Sequence, residues 1–378
     1  MRRRIRCFAA AAVLIGGLMV PARATEDLAA GCTAGVLMER ETGQVLYAKA
    51  EHQRLSPASV TKVMTLLLVA EAVDSGALRP EELITASARA ASMGGSQIWL
   101  REGEQLTVEE MTKCVAVVSA NDCAVALAEH LCGTEAEFTR RMNDRAAELG
   151  LTDTHFTNCT GLFDDPEHYT SALDIAVMAR ELLGHEFVRQ FTAIWTDTIR
   201  DGAFGLTNTN KLVRYYPGCT GLKTGFTSTA MFCLAASAAR DGTEYIAVVL
   251  HGDTSQHRFD AARSLLDYGF ANYALWRPAE SEPIRLPVDM GQEDTVELVP
   301  AEPLSLLTEK RRLGDITLRA ETPASVPAPV AEGQELGAVI VSDGETELRR
   351  IPLLAARAVE RRSLGRVWLD LIRALAGK

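Results

Sequence analysis

The 378-residue chain is 47% apolar and 24% charged, which supports a sizeable core, argues against a largely disordered chain, and suits two domains better than one. Setting aside the five arginines of residues 1–24 lowers the net charge from −11 to −16, a surface that argues against nucleic acid as partner. The seven cysteines beyond Cys7 are odd in number and irregularly spaced, and the seven histidines form no ligand pattern; neither a disulfide framework nor a metal or other cofactor site is expected.

Residues 1–24 combine a basic "MRRRIRC", an apolar "FAAAAVLIGGLMV" too short for a confident spanning helix, and a small-residue "ARA" at 22–24. They read as a signal peptide on an exported chain, with an uncleaved anchor as the competing reading. Next, "TAGVLMERETGQVLYAKA" has two apolar runs around "ETGQ" and predicts a hairpin. From Ser59 to about Asp74, "SVTKVMTLLLVAEAVD" is apolar on most of its surface, as a buried helix would be. Capping boxes at Thr107/Glu110 and Thr134/Glu137 predict two more helices, the second stopped by Gly150, and "SALDIAVMARELL" predicts another. "AMFCLAASAA" and "EYIAVVLHG" flank an Asp-Gly turn, and "SQHRFDAARSLLDYGF" closes the region with a helix.

The expected architecture is α+β: a catalytic domain over 25–275 with strands at both ends sharing one antiparallel sheet around a helical block. "ALWRPAESEP" reads as a linker, and short alternating runs over 284–358 predict a small all-β domain to which no chemistry is assigned. Over 360–378, Leu364, Val367, Trp368, Leu371, Ile372 and Leu375 form one apolar stripe, with arginines off it. That pattern favours an amphipathic helix anchored at a membrane surface over one folded back onto the β domain or a partner.

Three short motifs carry the chemistry. Ser59 and Lys62 stand three apart, so on a helix they share a face; alone, Ser-x-x-Lys is a chance-level signal. Ser119-Ala120-Asn121 interrupts the apolar run "KCVAVVSANDCAVAL", and the bland reading is one helix ending as another begins. Lys223-Thr224-Gly225 lies in a glycine-rich strand, where Gly225 would let a substrate backbone come close. Lysine serves as a base only when desolvated or placed near another cation, and a second lysine in the pocket would serve that purpose.

In this order the motifs resemble those of β-lactamases and penicillin-binding proteins. The closer resemblance is to the low-molecular-weight penicillin-binding proteins that are D-alanyl-D-alanine carboxypeptidases, carried also by "GGSQIWLREGEQLTVEEM", "HFTNCTGLFDDPEHYTSALDIAVMAR" and "TGLKTGFTSTAMFCLAASA". The resemblance covers nearly the whole mature chain and implies a β-lactamase/transpeptidase-like catalytic domain. It implies Ser59 as acyl-ester nucleophile, Lys62 as general base, Ser119 as proton relay, and Asn121 on the substrate amide and orienting Lys62. The N–H groups of Ser59 and Phe226 would form the oxyanion hole, and Lys223, Thr224 and Arg258 would hold the terminal carboxylate. For Arg258 a solvated helix face is the competing reading. Phe226 stands where some members carry a polar residue, which bears on preference among peptides or penicillins.

The implied partners are peptidoglycan stem peptides ending in D-Ala-D-Ala and β-lactams, on the outer face of the cytoplasmic membrane or in the cell wall. A class A β-lactamase would need a deacylating glutamate, and neither Glu167 nor Glu181 has the Glu-x-x-Leu-Asn context. A DD-endopeptidase on cross-links and a non-catalytic cell-wall-binding protein remain as alternatives, the second disfavoured by the intact motifs.

Overall fold

The computed structural model describes residues 27–279 and 283–363, with positions 365, 366, 368 and 372 beyond. The segment read as a signal, and most of the helix expected over 360–378, lie outside these residues. The chain divides into two compact units, one from residues up to 238 with 245–266, the other from 239–244 with 267 onward.

In the first unit, β1 (Cys32–Glu39) and β2 (Val45–Lys49) form the expected hairpin. The chain then enters a 3-10 turn (Ala58–Thr61), where a continuous helix was expected, and continues as α1 (Lys62–Asp74). Lys62 to Ala70 are all buried, so α1 is the central helix its all-round apolarity predicts. Helix α2 (Val108–Val117) opens on the full Thr107/Glu110 capping box, and α3 (Asn121–Cys132) follows within four residues. The cap of α4 (Glu135–Glu148) is only half the box expected: Thr134 accepts from the Glu137 N–H, but the Glu137 carboxylate turns to Arg140. An exposed arginine one turn along competes for that carboxylate. Ser171 caps α5 (Ala172–Leu182).

Strands β3 (Cys219–Thr227), β4 (Met231–Arg240) and β5 (Thr243–Gly252) complete an antiparallel sheet of order β2-β1-β5-β4-β3. The first and last strands pair over their full length, from Cys32 with Gly252 to Glu39 with Tyr245. Asp241 and Gly242, both at positive φ, make the two-residue turn. One core joins Val36 and Val248 of the sheet to Met64, Leu67, Val115 and Phe138 of the helices. Helix α6 (Ser255–Asn272) follows β5.

The second unit corrects the linker expectation. The first residues of that expected linker, with Tyr273 before them, form β6 (Tyr273–Trp276), because the apolar run Tyr-Ala-Leu-Trp finds a strand partner about thirty residues on that no local pattern announces. That partner is β9 (Leu306–Glu309); between them lie β7 (Ile284–Asp289) and β8 (Thr295–Pro300). After β10 (Ile316–Glu321), β11 (Val326–Pro327), β12 (Glu335–Asp343) and β13 (Thr346–Ala355), a six-stranded sheet has the order β10-β12-β13-β8-β7-β11. Val296, Leu298, Val339, Leu353 and Val359 pack its core.

Candidate active site

The 3-10 turn before α1 sets the geometry. Ala58, ahead of the serine, has φ +48, a conformation that non-glycine residues hold only where the surroundings enforce it. Two close approaches do so. A Cβ on Gly225 would lie 2.6 Å from the Pro57 carbonyl and 3.1 Å from the Ser59 nitrogen, and a Cβ on Gly161 would lie 1.9 Å from the Ala58 carbonyl. The protein's own turn at Ser59 therefore requires the glycine of Lys-Thr-Gly, a reason that stands beside the substrate approach expected from the sequence.

Lys62 Nζ donates to Ser59 Oγ at 2.9 Å and to the Thr160 carbonyl at 2.8 Å. The ammonium is fully buried, and burial pushes its pKa down to about 7. Lys223 is 1% exposed and is also pushed well below the lysine range, first by burial and then by the charges of Lys62 and Arg258. Burial is the largest cause at both lysines, and the repulsion between Lys62 and Lys223 adds to it; Lys223 Nζ bonds the Thr224 carbonyl at 3.0 Å.

Ser119-Ala120-Asn121 sits at the junction of α2 and α3, as the bland reading has it, but the junction is not neutral. Ser119 has φ +65, and its buried Oγ and the buried Asn121 Oδ1 have no hydrogen-bond partner among the described residues. Buried polar atoms left open in this way are rare and call for a ligand or water. Asn121 Nδ2 donates to the Gly94 carbonyl at 2.7 Å and makes no bond to Lys62. The orientation expected of Asn121 comes instead from Thr160.

Thr224 is buried, with Oγ1 on Thr209 Oγ1 at 2.7 Å. Arg258 is 9% exposed, so the solvated-face reading fails for it. Its Nη1 donates to the Gly225 carbonyl at 3.0 Å, its guanidinium lies over the Phe232 and Phe259 rings, and its buried Nε has no partner among the described residues. Phe226 is exposed and stacks on Phe232, ring centroids 4.4 Å apart. Glu167 is also exposed.

Reading by motif missed the segment that holds the lysine. Asn158 Oδ1 accepts from Thr160 N, Thr160 Oγ1 and Gly161 N, shaping the turn that aims the Thr160 carbonyl at Lys62. Beneath it, the Thr157 N–H donates to His168 Nδ1 at 3.0 Å, so Nε2 carries the proton and donates to Thr61 Oγ1 at 2.7 Å; Thr61 in turn donates to the Ala58 carbonyl. Burial holds His168 neutral, with its pKa pushed down to about 4. The available signal was an Asx-turn pattern, Asn158 three residues before Gly161.

A serine hydrogen-bonded to a lysine one turn on, set against the edge strand that carries Lys-Thr-Gly, is the arrangement of the penicillin-recognising serine acyl-enzymes. Within that class the chain belongs to the D-alanyl-D-alanine carboxypeptidase family, whose sequence pattern matches residues 21–254. Residues 279–361 match the C-terminal domain of penicillin-binding protein 5. The chain is 42% identical to the D-alanyl-D-alanine carboxypeptidase DacF of Bacillus subtilis over 334 residues, 85% of this chain and 84% of that one. It is 31% identical to DacD of Escherichia coli over 86% of each. Among solved structures it resembles penicillin-binding protein 5 from Haemophilus influenzae, with a TM-score of 0.76 and 29% identity over 88% of this chain and 98% of that one. Another likeness, TM-score 0.58, is to the ampicillin-bound penicillin-binding protein D2 of Listeria monocytogenes, covering 64% of this chain and 98% of that one at 30% identity. The chain is a serine-type peptidase of the cell wall, an extracytoplasmic enzyme.

Proposed function

We propose that this carboxypeptidase removes the terminal D-alanine of peptidoglycan pentapeptide stems through an acyl-enzyme on Ser59. The observation that carries the reading is Lys62 Nζ, buried, poised near neutrality and 2.9 Å from Ser59 Oγ. Neutral Lys62 takes the hydroxyl proton as Oγ attacks the carbonyl between the two D-alanines. The Ser59 and Phe226 N–H groups receive the oxyanion. Ser119, its Oγ unengaged, passes a proton to the departing amine, and Asn121 Oδ1 accepts the substrate amide N–H. Lys223, Thr224 and Arg258 favour a ligand ending in a free carboxylate, which restores the charge of Lys223 in a pocket that otherwise disfavours it. Arg258 acts at one remove, since its Nη1 is already engaged by the Gly225 carbonyl. Water then releases the acyl group, and a β-lactam acylates the same serine.

Release of D-alanine from a peptide ending in Lys-D-Ala-D-Ala is the test. The wild type is expected to release it, and Ser59→Ala to lose roughly 10³-fold or more of kcat/KM. Comparable release by both would overturn the assignment of the nucleophile.

Residues 1–24 are proposed as a signal peptide and residues 360–378 as a helix lying on the outer face of the cytoplasmic membrane. Support comes from the apolar stripe and its arginines, and from the exposure of Trp368 and Ile372, 67% and 55%. No described helix is long and apolar enough to cross a membrane.

A further inference from the structure

Trp99 is 65% exposed yet sits at φ +56, in the left-handed region that a bulky side chain enters only under constraint. The constraint is Asp122, fully buried, whose Oδ2 accepts from the N–H groups of Ile98 and Leu100, each at 3.0 Å, on either side of the tryptophan. The indole meets the Phe204 ring edge-on, centroids 5.8 Å apart, and the Arg200 guanidinium lies 5.3 Å from the centre of that ring. Arg200 is itself fixed, Nε on Glu104 at 2.7 Å and Nη1 on the Ile98 carbonyl at 2.9 Å. The fold thus holds a large apolar ring rigidly in solvent, where it adds little to the core, and backbone strain sustained in this way is a mark of binding sites.

The ring borders a cavity of about 680 Å³, also lined by Arg101, Glu102, Glu104, Arg200 and Phe204. Two acids and two cations leave the lining with no net charge, and Arg200 and Glu104 pair with each other, so a ligand of either sign gains no net attraction. A neutral ligand rich in hydroxyls and amides finds donors and acceptors together, and its polarised C–H groups find the indole face. The cavity is tied to the catalytic machinery. The loop from Gly94 to Leu100 gives Asn121 two bonds, the Gly94 carbonyl to its side chain and the Ser96 carbonyl to its N–H at 2.7 Å, before Asp122 takes the loop's far end. A stem peptide of several residues, each spanning up to about 3.6 Å, separates terminal D-alanines from their sugar, so a sugar subsite belongs beside the Ser-x-Asn element and not at Ser59.

From this geometry we infer that the Trp99 cavity is a glycan subsite, which binds an N-acetylated amino sugar of the strand that carries the stem peptide. The assignment deepens the carboxypeptidase reading and rests on it for the choice of substrate. Trp99 touches no reacting atom and acts as a binding residue.

The test uses the full chain, Trp99→Ala and Trp99→Phe, each first checked for unchanged melting temperature. The β-1,4-linked tetramer of N-acetylglucosamine, with no peptide attached, is titrated by calorimetry. D-Alanine release is measured in parallel from a free tripeptide and from a glycan-linked pentapeptide. The wild type is expected to bind the tetramer and Trp99→Ala to lose that binding. Trp99→Ala should also lose about tenfold in kcat/KM on the glycan-linked substrate alone, and Trp99→Phe less. Absence of tetramer binding by the wild type would overturn the inference, as would an equal loss on both substrates. Dependence of the Trp99 effect on a free side-chain amine in the peptide, instead of on the sugar, would overturn it in favour of a peptide subsite. Should the wild type bind the tetramer but release no D-alanine, the sugar site stands and the carboxypeptidase reading falls.

Discussion

The role proposed for Lys62 combines two demands that pull against each other: a base must be neutral near pH 7, and a lysine side chain prefers water. The chain resolves this by making Lys62 the first residue of a helix buried on nearly every side, so desolvation brings the pKa to about 7 while the Thr160 carbonyl keeps the nitrogen aimed. His168 answers a similar question beneath the nucleophile turn. Its folded pKa of about 4 lies below the ordinary 6.5, so between those values the unfolded chain takes up a proton that the folded one refuses. The stability it contributes is complete above about pH 6.5 and is lost as pH falls toward about 4. His168→Gln is expected to cost about 1–3 kcal/mol at neutral pH, by leaving the Thr61 or Thr157 group short of a partner. It should also flatten the decline in stability between pH 6.5 and 4. Chemical denaturation across that range measures both, and an unchanged slope would contradict a histidine buried neutral. Ser59 and Lys62 were legible through the three motifs in order and the resemblance they carry, not from their spacing alone. His168 was not, because its partner Thr61 becomes a neighbour only when the 157–168 segment packs against the turn, and Asn158 offered only a local Asx-turn pattern that does not announce Lys62 as the distant target of its turn.

Helices and hairpins were legible where local chemistry decides them: the Thr107/Glu110 box, the Asp241-Gly242 turn and the Ser171 cap all form where the sequence places them. The misses are places where a distant partner decides. Tyr273–Trp276 becomes a strand only because Leu306–Glu309 arrives beside it, and the turn Ala58–Thr61 stays 3-10 because β3 and the Gly161 loop press on it from outside. Gly161→Ala tests that pressure. With φ at +67 and only 1.9 Å from its Cβ to a backbone carbonyl, the loop must move and take the Thr160 carbonyl away from Lys62. The expected result is a loss of roughly 3 kcal/mol or more in stability, with acylation slowed in whatever folded protein remains. Near-normal acylation would show that Thr160 does not position the base.

For the molecule as a whole, the acidic chain ahead of the basic C-terminal stripe confines the proposed contact with an anionic membrane to that stripe. Deleting residues 361–378 is expected to abolish sedimentation with anionic phospholipid vesicles while leaving D-alanine release from a soluble peptide unchanged. Vesicle binding that survives the deletion would place the membrane contact elsewhere. The measurement that bears most directly on the site is the rate of penicillin acylation as a function of pH, with the adduct located by mass spectrometry. A lysine base of pKa about 7 predicts a rate that rises with pH and levels off above that value, on Ser59 alone. Lys62→Arg, which keeps the charge at every working pH, should abolish it. A rate that stays flat across neutrality, or an adduct on another residue, would contradict the account.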